Sequence, residues 1–392
     1  MNLTDLCEVF TDGDWIESKD QSKDGIRLIQ TGNIGIGQFI EKDDKAKYIS
    51  IETFERLKCT EVFEGDILVS RLPDPIGRAC IVPNKTERMI TAVDCTICRP
   101  KADIIDREYL CYFMQSKTYY ERLFNNVTGT TRKRISRKNL GNVEIYVPSK
   151  EEQKIIVKKL NLLTKIISNR TKELSYLDNL IKARFVELFG DLMENPFNWP
   201  MKTIADVSLF LKSGLSRKLS DEDIGLPVIR SGNIQNGQFI FDNVKYWYKD
   251  DPQGANTKDY VLEDGDVLVN FINSSSQIGK TAIYRDTGRD CIYTTNIFRM
   301  KLADNCNEYY YNWFAMSDYY YRHLQNIIQP AVNQSSFTTV NFLKLPIPLP
   351  AKDKQNEFAE FVKQVDKSKV AIQKSLAETQ LLFDKLMQDY FG

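Results

Sequence analysis

Histidine is almost missing from this chain: His323 is the only one among 392 residues. That removes most mechanisms in which imidazole serves as general base or metal ligand, and His323, following the run Tyr319, Tyr320, Tyr321, Arg322, reads as a packing or surface residue. Net charge is also missing, with 53 basic against 53 acidic residues. A uniformly basic nucleic-acid coat is thereby excluded, although what matters for such a ligand is where the positive charge clusters. No stretch approaches the roughly 20 consecutive apolar residues of a membrane span. The opening MNLTDLCEVF has no basic region followed by an apolar run, so no secretory signal and a cytoplasmic location are expected. Cysteines 7, 59, 80, 95, 98, 111, 291 and 306 show no disulfide framework, which suits a reducing compartment. Cys95 and Cys98 alone form a CxxC pair, and without a second pair or nearby histidines they read as strand residues and not as a metal site.

Catalytic motifs are absent as well. The nearest string to the Asn/Asp-Pro-Pro-aromatic loop of an amino-methyltransferase, Asn195-Pro196-Phe197, lacks the second proline and reads as part of a linker, ENPFNWP. Gly279-Lys280-Thr281 has Ser274 where a phosphate-binding loop requires glycine.

What is present is a long internal repeat. GIRLIQTGNIGIGQFI, from Gly25, returns as GLPVIRSGNIQNGQFI, from Gly225. FEGDILVS, from Phe63, returns as EDGDVLVN, from Glu263; IGRA, from Ile76, returns as IGKT, from Ile278, after a two-residue insertion. NLGNVEIYVP (139–148) matches NFLKLPIPLP (341–350), and Phe189-Gly190 matches Phe391-Gly392. Each copy reads as a mixed domain of short strands bounded by Gly, Pro, Asn and Asp, with a tyrosine-rich helix over 107–124 and its counterpart near 309–325. The aromatics of those helices read as packing residues.

Beyond Pro148 and Pro350 the pattern changes to heptads. Steps of four and three from Ile156 reach Leu160, Leu163, Ile167, Arg170, Leu174, Leu177, Ile181, Arg184 and Leu188, and eight of these ten positions are apolar. The same count from Phe358 is again apolar at eight of ten, with Lys369 and Thr379 the exceptions. Such a seam predicts a coiled coil, each helix pairing with its counterpart from the other copy. Connectivity makes the pair antiparallel under a pseudo-two-fold axis, and a helix of about 38 residues is about 57 Å long. The expected fold is mixed α/β (α+β): globular domains at 1–150 and 191–350 (its linker at 191–200), and spacer helices at 151–190 and 351–392. Two similar heads on a rigid antiparallel rod suit a ligand with two separated, related sites, of which duplex DNA is the commonest.

IKARFVELFGD (181–191), the TGNI and SGNI turns followed by Gly-Gln-Phe, the GD-[IV]-L-V strands and VPSKEEQKII, in their order and doubling, resemble the specificity subunits of type I restriction-modification enzymes. The resemblance implies two target-recognition domains, each reading one half of a bipartite, asymmetric DNA target, with the helices setting the gap. It implies two methyltransferase and two restriction subunits as partners, no membrane, and no catalytic residues in this chain. S-adenosylmethionine, ATP and magnesium then belong to the partner subunits. A coiled-coil protein-interaction scaffold without DNA specificity, and a nuclease or methyltransferase in its own right, are the rival readings.

Comparing the copies separates shared scaffold from divergent loops. TGTTRKRISRK (128–138) carries Arg132, Lys133, Arg134, Arg137 and Lys138; its counterpart PAVNQSSFTTV (330–340) has no positive charge but presents Asn333, Gln334 and Ser335. SRLPDP holds Arg71, opposed by Asn273, Ser275 and Gln277 of NFINSSSQ; SGLSRK adds Arg217 and Lys218. These residues are the expected DNA contacts, the cations on phosphates or guanine and the amides and hydroxyls on adenine edges or phosphates. Arg170 and Arg184 interrupt the seam as marks of register or as partner contacts.

Overall fold

Short β-branched runs between turn residues become strands because a pleated, buried surface accepts them. The computed structural model describes residues 1–125, 127, 133–235, 237–331 and 334–392. Two units result: Met1–Lys172 with Gln373–Gly392, and Glu173–Ile372.

In the first unit, four antiparallel strands lie in the order Cys7–Asp12, Cys95–Pro100, Ile67–Ser70, Ala79–Ile81. Alternation sends Ile67, Val69 and Cys98 into one core and Leu68, Cys95 and Ile97 into another. The Cys95 and Cys98 thiols therefore point to opposite faces, where one ion cannot reach both. Burial raises both, Cys95 to about 12. A second sheet runs Gln21–Ser22, Tyr48–Ile49, Ile26–Ile29, Met89–Thr91, Glu61–Val62, with Ile26–Ile29 and Met89–Thr91 parallel.

The second unit repeats the plan. Its four-stranded sheet runs Ser208–Ser213, Ile297–Leu302, Val267–Asn270, Thr281–Ile283. Even the register shift in the first strand recurs, between Cys7 and Val9 and between Ser208 and Phe210. Its other principal sheet has Lys245–Trp247, Leu226–Ile229 and Ile292–Tyr293, the last two parallel.

The repeated motifs are pieces of frame. In TGNI, Asn33 Oδ1 accepts from Gln30 N at 3.0 Å and Nδ2 donates to Ile40 O at 3.0 Å. Asn233 does the same with Arg230 N and Ile240 O, both at 2.9 Å. In the GD strands, Asp66 accepts from Phe63 N at 2.8 Å and holds Arg99, as Asp266 accepts from Glu263 N at 2.7 Å and holds Arg299. Gly77 and Gly279 have φ of +87° and +82°, and an added Cβ would lie 2.1 Å from Leu123 and 2.0 Å from Leu324, so glycine is required twice over. Thr281, beyond the GK dipeptide, is buried and donates to Asn312 Oδ1 at 2.9 Å, which makes that string a strand start.

The tyrosine-rich stretch differs from the single helix its spacing predicts. It forms two, Arg107–Phe113 and Lys117–Phe124, because the Ser116 hydroxyl accepts from Tyr119 N at 3.1 Å and caps a new helix. Ser317 divides Glu308–Phe314 from Asp318–Gln325 likewise, accepting from Tyr320 N at 3.2 Å. Tyr109, Tyr119, Tyr310, Tyr311 and Tyr320 are all buried. His323 Nδ1 lies 2.9 Å from Tyr319 O, and its ring packs on the Tyr319 ring.

The heptads are two 40-residue helices, Lys150–Phe189 and Lys352–Phe391. Within the first unit, Val157 and Leu160 of the first join Met387 and Phe391 of the second in the core around Tyr109 and Phe113. Within the second unit, Ile181, Phe185 and Phe189 meet Phe358 and Val362. There Asp178 pairs with Lys369 at 2.7 Å and Arg184 with Glu357 at 2.6 Å, so numbers rise along one helix as they fall along the other. The packing is antiparallel. The first long helix ends where Trp199 Nε1 donates to Phe189 O at 3.0 Å, with Asn195 bonded to both backbone groups of Trp199. No helix among the described residues is long and apolar enough to cross a membrane.

Candidate nucleic-acid interface

Antiparallel pairing brings Asp12, Ser70 and Cys95 to one end of the first unit's four-stranded sheet, through the pairs Asp12 with Thr96 and Ser70 with Cys95. The loops leaving that end carry the divergent charges. Arg71, expected as a DNA contact, sits among them and is buried. Its guanidinium donates to Val93 O at 2.5 Å and Ile135 O at 3.5 Å and pairs with Asp12 at 3.2 Å. Burial depresses its basicity, and the Asp12 carboxylate opposes that effect. Arg71 ties three loops together. Its backbone does the same, Arg71 N donating to Asp94 O at 2.9 Å and Arg71 O accepting from Ile135 N at 3.3 Å.

Around this tie stand the accessible cations. Arg134 pairs with Asp94 at 3.0 Å, the two side chains 43% and 28% exposed. Arg137, in the short helix Arg137–Gly141, is exposed and donates to Thr11 Oγ1 at 3.3 Å; Lys133 and Lys138 are exposed beside them. Arg132 lies outside the described residues. One sheet end thus gathers at least four cations from a sequence neutral overall.

At the same end of the second unit, the counterparts of the Arg71 and Arg134 loops carry no charge among their described residues over 271–278 and 334–337. Ile272–Asn273 pairs with Ser335–Ser336, so Asn273 faces Ser335 across a two-stranded ladder and the two divergent loops become one surface. Ser275 and Gln334 are exposed, Gln277 is half-buried and Ser335 is buried; Asn333 lies outside the described residues. Asn296 takes the place of Asp94, its carbonyl accepting from Phe271 N at 3.2 Å. Next to it opens a cleft of about 520 Å³ lined by Ser216, Arg217, Arg230, Gly232, Thr295 and Asn296, among others. Arg217 is not a free cation. It is clamped on Asp251 at 2.5 Å, and Asp251 also accepts from Trp247 Nε1 at 3.2 Å and from Gln253 N at 2.9 Å. Lys218, next along, is exposed.

Sequence reasoning passed over Asp12, Asp94 and Arg230. Asp94 had a readable signal, an acid in TAVDCTIC where the second copy has the amide of TTNIFR. Asp12 and Arg230 had none, since their partners are remote in sequence or on the backbone. Among the described residues no group of three or more His, Cys, Asp or Glu side chains stands together as a metal site.

A family model described as the type I restriction modification DNA specificity domain matches residues 1–176 and again 196–380. A putative type I restriction enzyme MjaX specificity subunit of Methanocaldococcus jannaschii is 28% identical over 45% of this chain and 41% of its own length. The MjaVIII specificity subunit of the same organism is 24% identical over 68% of this chain and 65% of its own, and the EcoKI specificity subunit of Escherichia coli 21% over 69% and 61%. The chain thus spans between 41% and 65% of the length of these relatives. Among solved structures, a type I restriction-modification S subunit from M. genitalium aligns over 100% of this chain and 95% of its own, with 14% identity and a TM-score of 0.59. A chain from work on complex assembly and conformational transition of the type I R-M system aligns over 100% and 96%, with 17% identity and a TM-score of 0.56.

Proposed function

The chain belongs to the type I restriction-modification DNA specificity family, and from that premise we propose that it is the sequence-reading subunit of such a complex, non-catalytic itself. Each globular domain reads one half of a bipartite DNA target, and the long helices set the unspecified gap. The observation that carries this reading is a frame built twice with unlike contact loops: cationic in the first unit, neutral and amide-rich in the second. One frame with two chemistries is what two different half-sites require.

In the first unit Lys133, Arg134, Arg137 and Lys138 meet phosphates and base edges, with Arg132 adjoining in sequence. In the second, Lys218 meets phosphate, while Asn273, Ser275, Gln277 and Gln334 supply neutral hydrogen bonds, with Asn333 adjoining. Ser335, buried, positions Asn273. Two methyltransferase subunits and two restriction subunits complete the assembly in the cytoplasm, bringing S-adenosylmethionine, ATP and magnesium with them. The purified chain, given cofactors and DNA alone, is inert.

Mapping methylated adenines in DNA from cells carrying the complete system tests the proposal. The expected pattern is two unlike specified halves separated by a gap of fixed length. One uninterrupted motif, or methylation without sequence preference, refutes it.

A further inference from the structure

Carboxylates are unwelcome on a surface that meets phosphates, yet the loops of the first unit's contact face carry several, among them Asp12, Asp94 and the exposed Asp74. Asp12 has an internal task, pairing buried Arg71 at 3.2 Å and accepting from Thr96 Oγ1 at 2.9 Å. Asp94 also acts on the buried Arg71 charge, but the ion pair of that guanidinium is with Asp12. Its side chain reaches outward to Arg134 at 3.0 Å. Meanwhile its backbone, and that of Ile135 next to Arg134, are fixed from both sides by Arg71.

The second unit has the same backbone ties, Phe271 N to Asn296 O and Phe337 N to Phe271 O, both at 3.2 Å, but carries Asn296 and Ser336 in the two places. There Phe271 stands in the place of buried Arg71, and the same backbone ties hold with neither the buried cation nor the ion pair. A charged pair kept at a phosphate-facing site, at a position the fold leaves open, points to recognition.

We propose that Asp94 and Arg134 act as one reading unit that selects a G·C base pair in the half-site met by the first domain, an inference that rests on the DNA-reading function above. Arg134 donates to guanine N7 and O6, and Asp94, aligned beside it, accepts from the cytosine N4 amine across the same base pair in the major groove. At an A·T pair the carboxylate meets thymine O4, an acceptor facing an acceptor, and the pair is rejected. Asp94 thus trades affinity for selectivity: it repels every phosphate backbone and repays this only at the right base pair.

The test is Asp94→Asn in the full chain with its methyltransferase partners, the amide being the residue the second copy carries. Binding is measured to the target duplex defined by methylation mapping, to the same duplex with each base pair exchanged in turn, and to a random duplex. The native chain is expected to lose about tenfold or more at one G·C position of the first half-site and the variant less than about threefold there, on the scale of one bidentate contact. The variant is also expected to bind random duplex more tightly than the native chain, with its second half-site profile unchanged. An unaltered exchange profile, equal weakening on every duplex, or a first half-site without a G·C pair overturns the inference while leaving the DNA-reading function intact. If no exchange in the first half-site matters even to the native chain, that function fails for the first unit and the inference fails with it.

Discussion

Lys133 and Lys138 lie at the rim of the cationic sheet end, exposed, in places where the second copy has Ser335 and Val340. Exchanging them for those residues alters charge and little else, which makes them clean probes of phosphate contact. If each neutralises one phosphate, the double variant Lys133→Ser, Lys138→Val should flatten the slope of log affinity against log salt by about 0.9 for each phosphate that is no longer neutralised. Titration from low to physiological salt reads this directly, and an unchanged slope removes the two lysines from the DNA backbone. Asp251 gives a residue-scale prediction of another kind. Its hydrogen bond from Arg217, with those from Trp247 and the backbone, holds the carboxyl at about 2 against an ordinary 3.8. A lowered folded value means the stabilisation is fully present above about 4 and is lost as pH falls toward 2. The urea midpoint of the native chain should therefore exceed that of Asp251→Asn at pH 7, and the margin should narrow through this window. The loop that carries Lys218 and borders the cleft is the part that loosens.

At the scale of elements, each long helix is fastened to its own domain by one buried glutamine. Gln153 donates to Ile104 O at 3.1 Å and Pro148 O at 2.9 Å and accepts from Asp106 N at 2.6 Å. Gln355 donates to Asn305 O at 3.0 Å and Pro350 O at 2.8 Å and accepts from Asn307 N at 2.8 Å. Replacing either with alanine leaves three backbone groups unpaired in the interior, and should cost about 1–3 kcal/mol for each group that water cannot reach. Denaturant unfolding of the two single variants checks it, and a loss below about 1 kcal/mol would mean that water enters and replaces the side chain. The glutamine was visible in the sequence as the Gln of VPSKEEQKII, but nothing local revealed that it bonds to a loop nearly fifty residues earlier. The helices themselves were legible because a seam of apolar residues repeats on one face whatever lies around it. The break in the tyrosine-rich stretch was not, since Ser116 suits the exposed side of one helix as well as the cap of another. Burial of Arg71 was hidden for a related reason. A cation in a Pro-rich loop looks solvated until Asp12, from the first strand of the sheet, is found against it.

For the whole molecule the question is whether the two readers are separable. Their main cores are distinct, one around Tyr109, Tyr119 and Leu110, the other around Tyr310, Tyr320 and Phe298, and the candidate contact loops of each unit hang on its own four-stranded sheet. The long helices nonetheless contribute to both cores: Phe391 packs on Tyr109 at 5.2 Å and on Phe113 at 6.2 Å, while Phe185 and Phe358 pack at 5.4 Å in the second unit. An exchange of residues 1–150 for the corresponding domain of a relative should therefore alter one half of the methylated target and leave the other half unchanged, provided the donor presents apolar side chains to Val157 and Phe391. A donor polar at those places opens a cavity against the helix ends and should cost about 3–5 kcal/mol, as truncating a buried aromatic does. That loss would show as a poorly folded hybrid, not as altered specificity. Methylation mapping of hybrids with matched and mismatched donors separates the outcomes. If a matched exchange rewrites both halves, the readers are coupled and the doubled frame does not divide the task.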